Sequence, residues 1–386
     1  MCDSTHSGRE HIENDRPMQW SVHLARTSPP TTSSGGSKSV LGQLSGQLYA
    51  PVMTTKSAND GAGGVTSGSG LARAALRAPV IVAPMFLVSG PELVVESCRA
   101  GLVGSFPTQN ARTFDDLVGW FDRIREGVKD LEHPSWAISM IVHRSYERFQ
   151  AELELVQDYR PDVVVTALGP PSRVLDEVHG YGGEVYADVM SVEHARKAAD
   201  AGADGLVLVC HGAGGHTGRL SPFAFVDEVR RFFDGTVVVG GAVSTGRAVR
   251  AVEVLGADYA YMGTRFIACL ESMVNDRYRN MLVRSGIGDV TATAAVTGVL
   301  CSWLSESLSD AGYDAEDLAA AAQIDFSDVH GEQKPWKDIF GAGQGVGEID
   351  GAVPVAEVAD RIVEEYLSAG TRSVAASEVS RREVHA

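Results

Sequence analysis

The chain has 386 residues, 44% of them hydrophobic and 22% charged, with a formal net charge of −17. This is the make-up of a globular protein with a large core. Its acidic balance argues against nucleic acid and anionic membrane surfaces as partners, because both call for clustered Lys and Arg.

No stretch approaches the roughly 20 apolar residues of a membrane helix, and the N-terminus has no apolar signal core. The five cysteines (Cys2, Cys98, Cys210, Cys269, Cys301) are scattered and without CxxC spacing. That pattern fits reduced thiols in a cytoplasmic protein rather than a disulfide framework or a zinc site.

Residues 1–72 are rich in Ser, Thr, Gly and Pro, as in Thr27-Ser-Pro-Pro-Thr-Thr-Ser-Ser-Gly-Gly-Ser37, and have no amphipathic period. They cannot bury enough surface to offset their chain entropy, so an irregular or disordered extension is expected. A regular rhythm then sets in over 73–370. Pro79–Ala83 reads as a first strand, and Ser89-Gly-Pro-Glu92 as a capping box opening a helix. Leu102–Ser105 is the second strand, followed by a helix behind the N-cap Thr113.

Trp136–Val142, Asp162–Ala167 and Glu184–Val189 are the next three strands, each with a helix behind it. The sixth strand, Leu206–Cys210, is an unbroken apolar run that opens into Gly212, Gly214, Gly215 and Gly218 around His216. Thr236–Gly240 and Asp258–Met262 are the seventh and eighth strands. Eight strand–helix units in this order predict a (β/α)8 TIM barrel with its function at the C-terminal ends of the strands. An open doubly wound sheet fits less well, because no G-x-G-x-x-G follows the first strand. Residues 265–330 read as helical, giving a helical cap over the mouth at about 268–335, and Val355–Leu367 is a last amphipathic helix. Residues 371–386 form a frayed tail.

Three places carry chemistry. At the seventh and eighth strand ends, Gly240, Gly241, Gly263 and Thr264 each lead toward a helix, and glycines there expose N–H groups that suit a phosphate. The loop Gly212-Ala213-Gly214-Gly215-His216-Thr217-Gly218 is neither a dinucleotide fingerprint nor a Walker loop. Its glycines can pack a flat ring against backbone, and His216 is the candidate general base because imidazole titrates near neutral pH. Ala83-Pro84-Met85-Phe86 leaves the first strand extended and can wall a ring pocket. Asp188, ending the fifth strand, can bond a ribityl-type hydroxyl or a helix N-terminus. Cys210 reads as a small core residue, and His211 and His143 are further histidines near strand ends. The sequence shows no metal cluster, nucleophile elbow or catalytic carboxylate pair.

With Ala83-Pro-Met, Gly214-Gly-His216, Gly240-Gly241 and Gly263-Thr264 in this order, the chain resembles the nitronate monooxygenases over roughly Ala78–Leu367. The resemblance takes in Trp336-Lys-Asp-Ile-Phe-Gly-Ala-Gly-Gln-Gly345 near the end. It implies bound FMN, with the phosphate on Gly241, Gly263 and Thr264 and the ring beside Ala83, Met85 and Gly214. It also implies that His216 is the catalytic histidine. The reaction implied is oxidation of a nitronate or nitroalkane with O2 to a carbonyl compound and nitrite. Where relatives commonly carry Val-Asn-Leu on the third strand, this chain has Ile138-Ser139-Met140; the shorter Ser139 side chain can still hydrogen-bond to flavin or substrate. A homodimer is compatible with this reading. The alternatives are an FMN- and NAD(P)H-dependent enoyl-thioester reductase, which shares the barrel and the Gly-Gly-His loop, and a non-catalytic interaction protein that kept the flavin scaffold.

Overall fold

A computed structural model of the chain describes residues 71, 75–314, 317–318 and 338–370. The extension expected over 1–72, the tail over 371–386 and positions 315–316 and 319–335 of the expected cap lie outside the described residues, apart from Leu71.

Eight parallel strands form one sheet: β1 (Val80–Val82), β2 (Gly104–Pro107), β3 (Trp136–Ile141), β4 (Val163–Ala167), β5 (Glu184–Val189), β6 (Gly205–Val209), β8 (Thr236–Gly240) and β9 (Tyr259–Met262). The two-residue strand β7 (Gly215–His216) intervenes, so β8 and β9 are the seventh and eighth barrel staves. β1 pairs with β9 through Val82 and Met262, and Ile81 bridges Val103 just ahead of β2. The sheet therefore closes on itself, as a (β/α)8 barrel.

Alternation along the strands divides the core in two. Ile81, Ala137, Val165, Tyr186, Val207 and Val238 fill the barrel interior. Their strand neighbours, such as Ile138, Ala187, Leu206 and Val237, face the surrounding helices. Strands buried on both faces must be apolar throughout, which is why they stand out as runs such as Gly205–Val209.

The N-terminal end of the barrel is tied by a repeated device. Asp162, Asp204 and Asp258 each precede an even-numbered stave and accept a backbone N–H from the stave before it. The donors are Trp136 (3.0 Å), Val185 (2.7 Å) and Val237 (2.8 Å). Each of these aspartates also donates its own N–H to the carbonyl of the same residue. Asp204 further contacts His179 at 2.8 Å and Asp258 contacts Arg230 at 2.6 Å.

The helices α1 (Pro91–Arg99), α2 (Phe114–Val128), α3 (Phe149–Tyr159), α4 (Leu175–Gly180), α5 (Val192–Asp200), α6 (Pro222–Arg230) and α7 (Gly246–Val254) alternate with the strands. Thr113 caps α2 through a reciprocal pair with Asp116, as its sequence position indicates. The capping box expected at Ser89 does not form. Gly90 is the N-cap of α1 without a side-chain bond, and the Ser89 hydroxyl instead receives the N–H of Met85 at 3.0 Å. A bond inside the preceding loop has outcompeted the helix end.

The segment expected to be helical is so only in part. Among its described residues are α8 (Thr264–Ile267), α9 (Asp276–Arg284) and α10 (Ser305–Asp310), but Val290–Thr293 and Cys301–Leu304 are strands β10 and β11. Cys301-Ser-Trp-Leu304 is buried at every position, so its apolar pattern does not discriminate between the two states. Ladder partners decide the outcome: β11 runs antiparallel between β10 and β7. The chain ends its described part with α11 (Val355–Ala369), whose side packs on α7 and leaves no room for a Cβ at Gly246.

Candidate active site

The C-terminal ends of the strands bring most of the expected residues to one mouth. Ser139 and Asp188 share the inward parity of Ala137 and Tyr186 on their strands, so both point into the barrel opening. Ser139 is 6% exposed. Asp188 is open toward the mouth, but the surrounding wall removes enough hydration to push its carboxyl up to about 7.

His216 lies on β7, opposite Cys301 in the ladder with β11. That strand fixes the backbone of the glycine loop from outside the barrel. The imidazole faces solvent on one side and has no hydrogen-bond partner among the described residues. The protein around it disfavours the charged form and lowers its pKa below the ordinary 6.5. A histidine so placed is neutral at pH 7 and able to take a proton. His211 and His143 are exposed, and His143 bonds Ser145. Cys210 is fully buried with its thiol pushed up to about 12, as a core residue would be.

The corner between β8 and β9 fits a phosphate, though not through the helix that follows β8. At the start of α7 the N–H of Gly246 donates to Glu365 at 2.8 Å and that of Ala248 to Thr245 at 3.1 Å. The backbone N–H groups of Gly241, Gly263 and Thr264, by contrast, donate to no acceptor among the described residues. Gly241 has φ +133°, and a Cβ there would lie 2.8 Å from the carbonyl of His211. Only glycine allows this approach.

The Thr264 hydroxyl accepts the Gly343 N–H at 2.9 Å and keeps its own hydrogen for a ligand. Met85 and Ala83 stand beside Gly263, with Met85 Sδ 3.3 Å and Ala83 Cβ 3.6 Å from where its Cβ would be. Pro84 lies between them, partly exposed. Gly214 is exposed on one side and so tightly backed by Ala342 and Gly343 on the other that a Cβ would sit 2.7 Å from the Gly343 nitrogen. A flat, exposed, side-chain-free surface of this kind suits an aromatic ring. Ala213 and Gly215 complete that loop, Gly215 with φ +63°.

Several residues of the mouth have no strong sequence signature. The loop Gly341–Gln344 buttresses the glycine loop: the Gln344 N–H donates to Gly212 and the Ala342 N–H to Ser302. Tyr261 on β9 leans over Gly240, its Cβ and Cδ1 lying 3.3 and 3.4 Å from where a Gly240 side chain would begin. Its hydroxyl is buried without a hydrogen-bond partner, as is the amide oxygen of Gln109 after β2. Near the same end, Glu152 is wholly buried among Thr108, Tyr146 and Arg148, at 2.6, 2.7 and 3.0 Å. Burial pushes its carboxyl up against the opposing pull of those three partners. Orphaned polar atoms at a barrel mouth beside an open phosphate corner fit a bound flavin, which offers both donors and acceptors.

The fold and this mouth define a (β/α)8 barrel of the flavin-dependent oxidoreductase class. The family model for nitronate monooxygenase matches residues 115–369, and the chain belongs to that family. It is 28% identical over 249 residues to a (3aS,4S,5R,7aS)-5-hydroxy-7a-methyl-1-oxo-octahydro-1H-indene-4-carboxyl-CoA dehydrogenase of Rhodococcus jostii, covering 64% of this chain and 68% of that protein. It is also 28% identical over 282 residues to a nitronate monooxygenase of Paraburkholderia phytofirmans, covering 61% and 76%. Among solved structures, nitroalkane oxidase from Streptomyces ansochromogenes superposes with TM-score 0.67 at 23% identity, over 77% of this chain and 98% of that one. FabK from Thermotoga maritima gives TM-score 0.60 at 24% identity, over 76% and 94%. These two establish the barrel alone. No described helix is long and apolar enough to cross a membrane.

Proposed function

We propose that the chain is an FMN-dependent oxygenase that converts alkyl nitronates or nitroalkanes and O2 to carbonyl compounds and nitrite, with His216 as general base. The observation that carries this reading is a neutral, unpartnered imidazole on the same glycine loop that presents a flat backbone surface at Gly214.

The backbone N–H groups of Gly241, Gly263 and Thr264 would hold the FMN phosphate, with the Thr264 hydroxyl as a further donor. Gly240, without a side chain, makes room for the Tyr261 ring at the edge of this corner. Ala83, Pro84 and Met85 would line one side of the ring, and Ala213, Gly214 and Gly215 the other. Ser139 and Asp188 would reach its polar edge from inside the barrel. The bound flavin supplies the redox chemistry, taking electrons from substrate and passing them to oxygen. His216 removes the α-proton of a neutral nitroalkane and holds it on the imidazole; a nitronate arrives without that proton. The four described cysteines are buried and free, consistent with a cytoplasmic setting.

A second reading has a specific observation behind it. Two carboxyl-CoA dehydrogenases, from Rhodococcus jostii and Mycobacterium tuberculosis, are each 28% identical to the chain. On that reading the site takes an acyl thioester and exchanges electrons with a nicotinamide or another acceptor. Oxygen uptake with matching nitrite release, measured on the FMN-loaded protein with an alkyl nitronate and no NADH, separates the two. Uptake without nicotinamide supports the oxygenase. No uptake, with NAD(P)H oxidised in the presence of an enoyl thioester, supports the thioester enzyme. A protein that stays colourless with added FMN would contradict both.

A further inference from the structure

Glu152 sits in the first turn of α3, wholly buried, and its carboxylate joins two neighbouring loops of the mouth. Its Oε2 accepts the Thr108 hydroxyl, from the turn after β2, at 2.6 Å. Its Oε1 accepts the Tyr146 hydroxyl at 2.7 Å and pairs with Arg148 Nε at 3.0 Å, both from the loop after β3. Arg148 Nη1 in turn donates to the Ala111 carbonyl at 2.8 Å. The short 3-10 turn Thr108–Asn110 is thus held on both sides, at Thr108 by the carboxylate and at Ala111 by the guanidinium paired with it. Between these holds lies Asn110, whose amide bonds the backbone of Met85, Leu87 and Ser89 after β1. Thr108 also stands beside the third stave. It follows Pro107, which pairs with Ser139, and its hydroxyl lies 3.4 Å from the Ser139 carbonyl.

Burying a carboxylate is costly, and packing alone does not call for one here. What a carboxylate adds is two oxygens with several acceptor sites, so one group can tie separate loops while neutralising Arg148. We propose that Glu152 is a positioning residue for the flavin seat: through Thr108 it fixes the turn that carries Asn110, and through Asn110 the Met85 wall of the ring pocket. The chain of contacts runs from a buried anion to a wall residue in three hydrogen bonds, each printed by side chains that are themselves buried. The consequence for FMN rests on the flavin reading above; the hold on the turn does not.

The test compares Thr108→Val with Tyr146→Phe. Each removes one hydroxyl from the same carboxylate and leaves the Glu152–Arg148 pair, so the two should lose similar stability. Only Thr108→Val cuts the link to the turn. In the flavin-free protein, hydrogen exchange at the Leu87 amide, which Asn110 holds, should quicken about tenfold in Thr108→Val. It should keep the wild-type rate in Tyr146→Phe. With FMN added, Thr108→Val should bind it about tenfold more weakly and alter the visible circular dichroism of the bound ring, and Tyr146→Phe should do neither. Thr108→Ser, which keeps the hydroxyl, should restore both readouts. Equal effects of Thr108→Val and Tyr146→Phe, or no effect of Thr108→Val, would overturn the proposal. A wild-type protein that binds no FMN would strike the flavin reading, and the Leu87 exchange rates would still decide whether Glu152 holds the turn.

Discussion

The side chain of Asn110 accepts the backbone N–H of Leu87 at 2.8 Å and donates to the carbonyls of Met85 and Ser89 at 2.9 and 2.8 Å. One buried amide thus fixes the whole turn after β1. Leu87 sits at φ +59°, a left-handed conformation that leucine resists, and its side chain is 43% exposed. Leu168 after β4 repeats the combination, with φ +59° and 45% exposure. Both strained turns follow a barrel stave, and such strain persists where surrounding contacts over-determine the backbone, as the Asn110 amide does here.

Asn110→Ala should therefore cost stability and loosen this wall. It leaves the Ser89 carbonyl and the Leu87 N–H without this partner, while the Met85 carbonyl keeps the N–H groups of Val88 and Ser89; the loss should be about 1–3 kcal/mol by urea denaturation. FMN affinity should fall with it, because Met85 borders Gly263. Unchanged stability and affinity would mean that water replaces the amide at no cost.

Gly241→Ala should be the most damaging single methyl in the phosphate corner. The position combines φ +133° with a 2.8 Å approach to the His211 carbonyl, so backbone must move. The strain alone is on the order of 1–3 kcal/mol. The purified variant should emerge with little flavin while keeping the far-ultraviolet circular dichroism of the barrel. A variant that retains flavin like wild type would remove Gly241 from the cradle.

His216→Asn should separate the two substrate forms. Turnover of a neutral nitroalkane should drop by roughly 10²–10⁴, the usual size of a general-base contribution, with nitronate turnover much less affected. For wild type, kcat/KM for the nitroalkane should rise with pH and level off, the break lying below 6.5 because burial disfavours the imidazolium. Equal losses for both substrates would assign His216 to binding rather than proton transfer.

The barrel was readable from the chain because each stave is buried on both faces and ends at a helix-forming stretch, so strand and helix periods alternate cleanly. Glu184–Val189 and Thr236–Gly240 carry the same bounds in sequence and structure. The seat of His216 was not readable. β7 has only two residues, and its partner β11 is an apolar run as compatible with a helix as with a strand. Nothing local says that Cys301 will face His216, since the pairing crosses 85 positions of chain. Tyr261 was hidden for a related reason: Tyr-Ala-Tyr-Met is an ordinary strand sequence, and it is the absence of a side chain on neighbouring Gly240 that gives its ring room beside β8.

At the other end of the barrel, Asp162 differs from its two counterparts in having no ion-pair partner among the described residues, whereas Asp204 meets His179 and Asp258 meets Arg230. Burial without that compensation pushes its carboxyl up to about 6. A carboxyl whose folded value lies above its unfolded one favours the protonated fold. Its contribution is thus most favourable below the unfolded value near 3.8 and is lost as pH rises through about 6. Asp162→Asn keeps an oxygen for the Trp136 N–H and removes the buried charge. Relative to wild type, the variant should gain stability between about pH 4 and 7, by on the order of 2 kcal/mol once its partial exposure is allowed for. Urea midpoints of the two proteins at several pH values measure this difference directly. A difference that stays constant with pH would show that Asp162 is ionised in the fold at little cost, and that the backbone N–H of Trp136 supplies the compensation that Arg230 gives Asp258.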